Sequence, residues 1–111
     1  MNELKRAVIY ARVSSDKQDV DLSISAQLRA LREYARNNGH EIVREFIDEA
    51  ETGRTTARPA FREMTSLARH PQKPFEIILV RKYSRFARSR EDSIVYKAML
   101  RKNGVQVISI N

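Results

Sequence analysis

The sequence contains no cysteine, only two histidines and only three glycines. Without thiols the chain forms no disulfide and offers no thiolate nucleophile or cysteine metal ligand, a composition that fits an intracellular protein. His40 opens a predicted strand and His70 closes a predicted helix, so both are expected at the surface and a Ser-His-Asp triad is not expected. The glycines form no phosphate-binding loop, which argues against a nucleotide cofactor.

Long apolar runs are also missing. The longest contain about five residues, far short of the about 20 that a membrane-spanning helix needs. The charged start of the chain, Met1 to Arg6, is not followed by the apolar region of a signal peptide. With 111 residues the chain is long enough for one domain with one core. We therefore expect a single cytoplasmic domain over residues 1–111 that does not contact a membrane.

Charge is distributed unevenly along the chain, whose net charge is +7. Residues 1–50 hold 8 basic and 9 acidic side chains, whereas residues 51–111 hold 13 and 5. Most of the excess is arginine, whose planar guanidinium suits bidentate contacts with phosphate. The surplus indicates a polyanionic partner such as nucleic acid, although a basic surface that only aids solubility would have the same composition.

Apolar and polar segments alternate regularly. Strands are predicted at residues 6–12, 41–47, 75–80 and 105–108, and helices from 23–25 to 36, from 59 to 70 and from 89 to 102. Polar loops are predicted at residues 13–22 and 48–58. Ser23 or Ser25 is expected to cap the first helix, and the Asn-Gly pairs at 38–39 and 103–104 are expected to end the first and third helices. Pro59 suits the first turn of the second helix.

The spacing of apolar residues predicts which faces are buried. The predicted apolar faces of the three helices are Ile24, Leu28, Leu31 and Ala35; Phe61, Met64, Leu67 and Ala68; and Ile94, Val95, Ala98 and Met99. The run from Phe75 to Val80 is the most hydrophobic in the chain, and its last four residues are continuously apolar, as in a central parallel strand buried on both faces. The order β-α-β-α-β-α-β therefore predicts an α/β domain with about four mainly parallel strands and helices on both faces of the sheet.

Polar side chains follow three of the predicted strands. Arg12 and Ser14 follow the first strand, residues 52–58 the second, and Arg85 with Arg88 the third. Because the carboxyl ends of parallel strands meet at one edge of a sheet, these side chains are expected to converge there.

A hydroxyl group among guanidinium groups suits phosphoryl transfer. The hydroxyl attacks phosphorus, and the arginines stabilise the charge on the non-bridging oxygens. The spacing alone leaves both Ser14 and Ser15 open as the nucleophile. The nearby Asp16, Asp19 and Asp21 lack the glycine and glutamate of a calcium-binding loop, so no metal site is predicted. The tyrosines are expected in the core or in an interface rather than as nucleophiles.

Four segments carry a recognisable pattern. They are Tyr10-Ala11-Arg12-Val13-Ser14-Ser15-Asp16-Lys17-Gln18, Ser25-Ala26-Gln27-Leu28-Arg29-Ala30-Leu31, Thr52-Gly53 with Arg58-Pro59-Ala60-Phe61, and Arg85-Phe86-Ala87-Arg88. In order and spacing they closely resemble the catalytic domain of the serine recombinases, the resolvase/invertase family, over essentially the whole chain. The form of the segment that begins at Arg58 is more similar to the large serine integrases and transposon recombinases than to the small resolvases.

The resemblance implies a mechanism and its partners. Ser14, the first serine of its segment, is the implied nucleophile, which attacks a DNA phosphodiester, forms a 5′-phosphoserine linkage and frees a 3′-hydroxyl. Strands are then exchanged within a tetramer and resealed by the reverse attack, so neither ATP nor a metal is required and no cofactor is expected. The implied partners are double-stranded DNA and further copies of the chain, as a homodimer or homotetramer of the full-length protein, in a bacterial or phage-encoded setting.

The resemblance also implies the site residues. The residues implied to bind the scissile phosphate are Arg12, Arg58, Arg85 and Arg88, and Gln18 and Gln27 match polar positions around that pocket. The polar and basic segments after the second and third strands add further candidates for binding phosphate or DNA, namely Thr52, Arg54, Arg81 and Lys82.

Three departures from the family pattern bear on activity. Many members have aspartate where this chain has Ser84, and serine cannot serve as a carboxylate acid or base. Asp48 and Glu49 both compete for one acidic family position. A long helix that forms the dimer contact and leads to the DNA-binding region follows this domain in the family. The chain is therefore expected to be truncated before that helix, to bind DNA weakly alone and to be nearly inactive.

Two other interpretations remain open from the sequence. The chain could be a non-catalytic assembly module that keeps the fold. The presence of Ser84 favours this interpretation. It could also be another small phosphoryl-transfer enzyme, such as a phosphatase or nuclease, on a similar sheet.

Overall fold

The computed structural model describes residues 4–14, 24–50, 59–81 and 90–110. They form the strands β1 (Lys5–Ser14), β2 (His40–Ala50), β3 (Ile77–Arg81) and β4 (Gln106–Ile110), and the helices α1 (Ile24–Asn37), α2 (Pro59–Ala68) and α3 (Arg90–Lys102). The strands make one sheet in the order β2-β1-β3-β4, and every neighbouring pair is parallel. The predicted α/β class and parallel sheet are confirmed.

Helices cover both faces of the sheet, as predicted. On one face, Leu28 and Leu31 of α1 pack with Ala7, Ile9 and Ala11 of β1. On the other face, side chains of α2 and α3 pack with alternate residues of the two central strands, namely Phe61, Met64, Ala68 and Leu100 with Val8, Tyr10, Ile78 and Val80. Ile78, Leu79 and Val80 of β3 have no exposed surface, which confirms the central strand predicted from the continuous apolar run. Among the described residues, none of the helices is long and apolar enough to cross a membrane.

The predicted Asn-Gly stops are confirmed at the ends of α1 and α3. The side chain of Asn38 donates a hydrogen bond to the carbonyl oxygen of Tyr34 at 2.8 Å, and Asn103 bonds the carbonyl oxygen of Met99 at the same distance. Gly39 and Gly104 then take φ values of 71° and 77°, a left-handed conformation that glycine adopts without strain.

The prediction for the start of α1 is partly wrong. Ser25 lies inside the helix, which begins at Ile24, so its position cannot be the cap. Ser23, the alternative cap, lies outside the described residues.

The first two strands extend further than predicted. β1 continues to Ser14 and β2 to Ala50, so the beginnings of both predicted polar loops, 13–22 and 48–58, are strand. The two strands stay paired to their ends, with Arg12 opposite Asp48 and Ser14 opposite Ala50. Backbone hydrogen bonds continue the ladder beyond the apolar side chains. For this reason the hydrophobic pattern underestimates the length of both strands.

The predicted apolar face of α3 is wrong for Ile94, Val95 and Ala98 but correct for Met99. Ile94 and Val95 are 61% and 64% exposed, whereas Leu100 is fully buried and Tyr96 and Met99 pack against the core. The helix carries two overlapping apolar stripes, and the stripe with the larger side chains faces the sheet. Tyr96, Met99 and Leu100 are spaced three and four residues apart and lie on one face of the helix.

Truncation of Leu100 is expected to destabilise the chain far more than truncation of Ile94. Leu100→Ala leaves a cavity in the core and should lower the free energy of unfolding by about 2–5 kcal/mol. Ile94→Ala removes a side chain that is mostly in water and should change it by no more than about 0.5 kcal/mol. Urea unfolding of the two variants measures both effects. Equal losses would mean that α3 packs through the face predicted from the sequence.

Two ion pairs connect β2 to the helices on either face. Arg32 of α1 forms a bidentate pair with Glu45, one bond of which spans 2.7 Å between Nη2 and Oε1. On the other face, Arg44 bonds Glu63 of α2 at 2.9 Å and stacks over the ring of Phe46. The hydrogen bond from Arg32 lowers the pKa of Glu45 below its ordinary value, against the smaller opposing effect of partial burial.

The pair between Arg32 and Glu45 is expected to weaken in acid. Because the folded chain lowers the pKa of Glu45, the stabilisation is present above the ordinary glutamate pKa and is lost as the pH falls through the lowered value. A carbon-13 NMR titration of the Glu45 carboxyl group measures this pKa. In Arg32→Ala it should return towards the ordinary value, and an unchanged titration would show that the pair does not persist in solution.

Candidate active site

The strand order places the switch point of the sheet, where open α/β sheets form their ligand-binding crevice, between the carboxyl ends of β1 and β3. From β1 the chain passes outward to β2, returns to β3 on the other side of β1, and continues to β4. The two central strands are therefore the place where the direction of winding reverses, and open α/β sheets bind their ligands at the carboxyl ends of such strands. β1 ends here with Ser14, and β3 ends with Arg81.

The predicted residues Arg12 and Arg81 end up on opposite faces of the sheet. Along β1, Tyr10 packs on the face covered by α2 and α3, so strand alternation places Arg12 on that same face. Along β3, Leu79 packs on the face covered by α1, so Arg81 belongs to the α1 face. Both arginines are half-buried. The two faces therefore each present one of the predicted cations near the crevice.

The α1 face also holds Gln27, another predicted site residue. It is 1% exposed and is the fourth residue of α1, which starts near the carboxyl edge of the sheet. The Nε atom of Arg81 on this face is buried and has no hydrogen-bond partner among the residues that the structure describes. A buried guanidinium nitrogen without a partner is costly in the protein alone, and an anion can satisfy it.

The remaining predicted site residues cannot be placed. Gln18, Thr52, Arg54, Arg58, Lys82, Arg85 and Arg88 lie outside the described residues, as does Ser84. Of Ser14 the structure describes the strand position. Arg58 directly precedes Pro59, the first residue of α2.

The two histidines lie away from the crevice. His40 begins β2 at the amino edge of the sheet, where its ring stacks on Tyr34 with a centroid distance of 6.1 Å. It is half-buried, so the predicted surface position is only partly correct, whereas His70 is exposed as predicted. In the described ranges no group of three or more histidine, aspartate or glutamate side chains could hold a metal ion.

Asp48 is an important residue that the sequence prediction placed in a polar loop. It belongs to β2 and is 5% exposed. Its Oδ2 accepts hydrogen bonds from the Tyr10 hydroxyl at 2.8 Å and the Phe61 amide at 3.0 Å. Its Oδ1 accepts one from the Ala60 amide at 2.9 Å. The carboxylate thus caps α2 from a neighbouring strand, where it also meets the positive end of the helix dipole.

A feature of the sequence could have indicated this role. The position before Pro59 is Arg58, which is not a residue that caps helices, so the free amides at the start of α2 need an acceptor from elsewhere. Asp48 lies two residues after the apolar Phe46 and therefore continues the buried face of β2.

The ring of Tyr10 extends this connection to both helices on its face. It meets Phe61 edge-on, with a centroid distance of 5.4 Å, and Phe61 meets Tyr96 of α3 at 4.9 Å. Tyr10 has no exposed surface, which confirms its predicted place in the core. The Tyr10 hydroxyl group, which donates a hydrogen bond to Asp48, thus belongs to a side chain that packs against α2 and is linked through Phe61 to α3.

Open parallel sheets bind their ligands at the carboxyl edge, and an arginine at the end of a central strand suits an anionic group such as phosphate there. The family described as "Resolvase, N terminal domain" matches residues 7–111. The chain therefore belongs to the resolvase family and has the fold of a serine recombinase catalytic domain.

Solved structures with the same fold come from several recombinases. The N-terminal catalytic domain of TP901-1 integrase is 30% identical with a TM-score of 0.80, and the match covers 95% of this chain and 76% of that one. A resolvase family site-specific recombinase from Streptococcus pneumoniae is 29% identical with a TM-score of 0.83, over 96% and 72% of the two chains. The C-terminal catalytic domain of ISC1926 TnpA, an IS607-like serine recombinase, is 29% identical with a TM-score of 0.76, over 94% and 69%. The comparison with curated proteins finds no match.

Proposed function

We propose that this chain is the catalytic domain of a site-specific DNA recombinase and that Ser14 is its nucleophile. The observation that carries the proposal is the position of Ser14 at the end of a central strand, two residues after the half-buried Arg12 and beside the crevice where the winding of the sheet reverses. The similar recombinase structures share this fold over nearly the whole chain.

In the proposed reaction, the hydroxyl oxygen of Ser14 attacks the phosphorus of a DNA phosphodiester. The new serine–phosphate bond replaces the bond to the 3′ oxygen. Ser14 loses its proton, and the leaving oxygen gains one to become a 3′-hydroxyl. Reversal of these steps on an exchanged strand rejoins the DNA without ATP, because one ester is traded for another of similar energy.

The cations of the site are proposed to stabilise the negative charge on the non-bridging oxygens of the phosphate. Arg12, Arg58, Arg85 and Arg88 are proposed to bind the non-bridging oxygens of the scissile phosphate, and Gln18, Gln27, Thr52, Arg54, Arg81 and Lys82 to hold the neighbouring DNA. The half-buried positions of Arg12 and Arg81 support this assignment, since guanidinium groups bind phosphate more strongly where water is partly excluded.

The chain is proposed to work as part of a longer protein. The full-length protein is proposed to act on double-stranded DNA as a homodimer or homotetramer, in the cytoplasm of the host cell. Exchange between two duplexes needs four nucleophiles, which a tetramer supplies. The proposed domain is residues 1–111.

The direct test is to trap the intermediate. The full-length protein is incubated with a nicked DNA substrate, from which the cut fragment diffuses away, in the presence of EDTA. We expect a covalent protein–DNA adduct whose phosphate maps to Ser14 by mass spectrometry, since no divalent cation takes part in the proposed steps. A requirement for magnesium, or a phosphate on another residue, would contradict the proposal.

A second candidate function is a non-catalytic assembly module of the same fold. Ser84, in place of the aspartate that many members have, favours it because serine orients an arginine less strongly than a carboxylate does. This candidate predicts that the same nicked DNA is bound without any adduct.

A further inference from the structure

A second charged surface lies at the amino edge of the sheet, opposite the edge where β1 ends with Ser14. The described residues at this edge are the beginnings of the strands and the ends of the helices, over residues 4–6, 38–41, 69–76 and 101–105. These ranges contain six lysine or arginine side chains and two carboxylates, Glu41 and Glu76. Six positive and two negative charges leave +4 at this edge, compared with +7 for the whole chain.

Two adjoining hollows bring cations of this edge together. One hollow is lined by Arg6 and Lys73, the other by Lys97 and Arg101, and Gly104 belongs to both. Because Gly104 has no side chain, the Nζ atom of Lys73 lies 3.4 Å from the point where a Cβ atom would stand. The hollows therefore form one continuous basic surface with four cations, which we call the amino-edge patch.

Backbone hydrogen bonds fix the elements that carry the patch. The amide of Glu76 donates to the carbonyl oxygen of Arg6 at 3.0 Å, and the amide of Gln106 donates to that of Glu76 at 2.9 Å. At the end of α3, the amide of Gly104 donates to the carbonyl oxygen of Arg101 at 3.0 Å. The cations thus stand on an ordered backbone, and an anion can bind here without first ordering a segment of the chain.

Most of the patch has no carboxylate partner. Arg6, Lys73 and Arg101 form no ion pair within 4.0 Å with any carboxylate that the structure describes. Cations near the ends of helices offset the negative end of the helix dipole, which accounts for part of the charge at this edge. It does not account for Arg6, which lies in β1, or for Lys97, which precedes the last turn of α3. The patch therefore presents positive charge that is available to an external anion.

We propose that the amino-edge patch binds the phosphate backbone of double-stranded DNA, as a contact separate from the catalytic edge. Guanidinium groups bind phosphate through two hydrogen bonds, and lysine binds it as a point charge. Protein interfaces are depleted in lysine and have aromatic or apolar centres. No aromatic side chain is among the described residues that line either hollow, so the lining suits nucleic acid better than a protein. The inference goes beyond the proposed function, because the reaction at Ser14 does not use this edge.

The distance between the two edges determines which DNA the patch can bind. Arg6 and Ser14 are eight residues apart in β1, which at about 3.3 Å per residue separates them by about 26 Å. The two edges also face in opposite directions, so a straight duplex that is bound at Ser14 does not reach the patch. The patch therefore takes a second duplex or a distant segment of the same DNA, and the domain bridges the two.

Acetylation of lysine side chains in the full-length protein tests the patch directly. The protein is labelled briefly with acetic anhydride at increasing concentrations of a short duplex of arbitrary sequence, and mass spectrometry measures the modification of Lys73 and Lys97. We expect the duplex to protect both lysines, and the midpoint of protection gives the affinity of the patch. Four phosphate contacts predict a slope of about −3.6 for the logarithm of affinity against that of salt concentration. The affinity should therefore fall about 150-fold between about 50 and 200 mM salt.

The double variant Arg6→Gln with Arg101→Gln removes two of the four contacts and keeps both lysines that report binding. Both arginines are exposed, so the fold should be retained. We expect the salt slope for Lys73 protection to fall to about −1.8 and the affinity at about 50 mM salt to fall at least about tenfold. Arg36→Gln is the matched control for Arg6→Gln alone, because it removes an exposed guanidinium group from the last turn of α1, outside the patch. It should leave the slope unchanged.

Three results would overturn the proposal. In the first, saturating DNA leaves Lys73 as reactive as in the free protein at about 50 mM salt. In the second, Arg36→Gln lowers the salt slope as much as Arg6→Gln does. In the third, poly-L-glutamate, a polyanion without phosphate, protects Lys73 as well as DNA does at equal charge concentration, which would indicate an acidic protein partner instead.

The test remains decisive in two further cases. If circular dichroism shows that the double variant does not fold, the protection of the wild-type lysines and its salt dependence still decide. Adduct formation plays no part in these measurements. A protein that forms no adduct would therefore refute the proposed function at Ser14 and leave the result for the amino-edge patch unaffected.

Discussion

Replacing Ser14 with alanine is expected to abolish the covalent protein–DNA adduct while DNA binding stays within about threefold of the wild type. Removing a nucleophile typically costs many orders of magnitude in rate, so we expect adduct formation to fall at least about 10³-fold. Affinity should persist, because the arginines proposed to bind the backbone phosphates remain. Adduct trapping on nicked DNA and a gel-shift titration of the same protein measure the two quantities.

Ser15→Ala provides the matched control. The two serines are neighbours, and the spacing of the residues alone leaves both open as the nucleophile. We expect Ser15→Ala to retain adduct formation within about tenfold of the wild type, the range of an indirect effect near a reacting group. An adduct that survives in Ser14→Ala, or that disappears only in Ser15→Ala, would reassign the nucleophile.

Replacing Asp48 with alanine is expected to cause the largest loss of stability among single polar substitutions in the described residues. The change leaves the buried Tyr10 hydroxyl and the amides of Ala60 and Phe61 without their acceptor. Loss of a helix cap costs about 0.5–2 kcal/mol, and a buried donor left unpaired costs about 1–3 kcal/mol. Together they predict a decrease of about 1.5–5 kcal/mol in the free energy of unfolding, measured by urea denaturation.

Tyr10→Phe tests how that loss of stability is divided among the three hydrogen bonds to Asp48. It removes one of the three bonds to Asp48 and keeps the ring contact with Phe61, so we expect a decrease of about 1 kcal/mol. If Asp48→Ala costs no more than Tyr10→Phe, the helix amides are satisfied by water and the cap contributes little. A total stability of about 5–15 kcal/mol is usual for such a domain, so the larger loss would be easy to measure.

The fold was predictable because its central elements have a strong and simple pattern. The residues from Ile77 to Val80 are apolar without interruption and lie in the middle of the sheet. The Asn-Gly pairs mark helix ends through a left-handed glycine, which is a local effect that does not depend on the rest of the chain. Where local chemistry decides the structure, the sequence prediction is confirmed.

The errors of the prediction arise where contacts between residues that are distant in the sequence determine the structure. The face of α3 that is buried depends on how the helix rotates onto the sheet, and Tyr96 with its contact to Phe61 outweighs the exposed Ile94. Likewise, the polar Asp48 looks like a loop residue until Tyr10 and α2 are placed around it. Within the site, the strand-end position of Arg12 followed from the order of the elements, whereas the continuation of β1 to Ser14 and the cap on α2 did not.

The pairing of β1 with β3 has a consequence for how the site comes into being during folding. Ala7 and Ile77 are partners in this ladder although about 70 residues of chain separate them. Such long-range parallel pairing forms slowly, because the chain loses much entropy before the contacts are made. Arg12 and Arg81 belong to these two strands and come to one edge only when the ladder closes. A partly folded chain that has paired β1 with β2 alone therefore carries Ser14 without the crevice in which it is proposed to react.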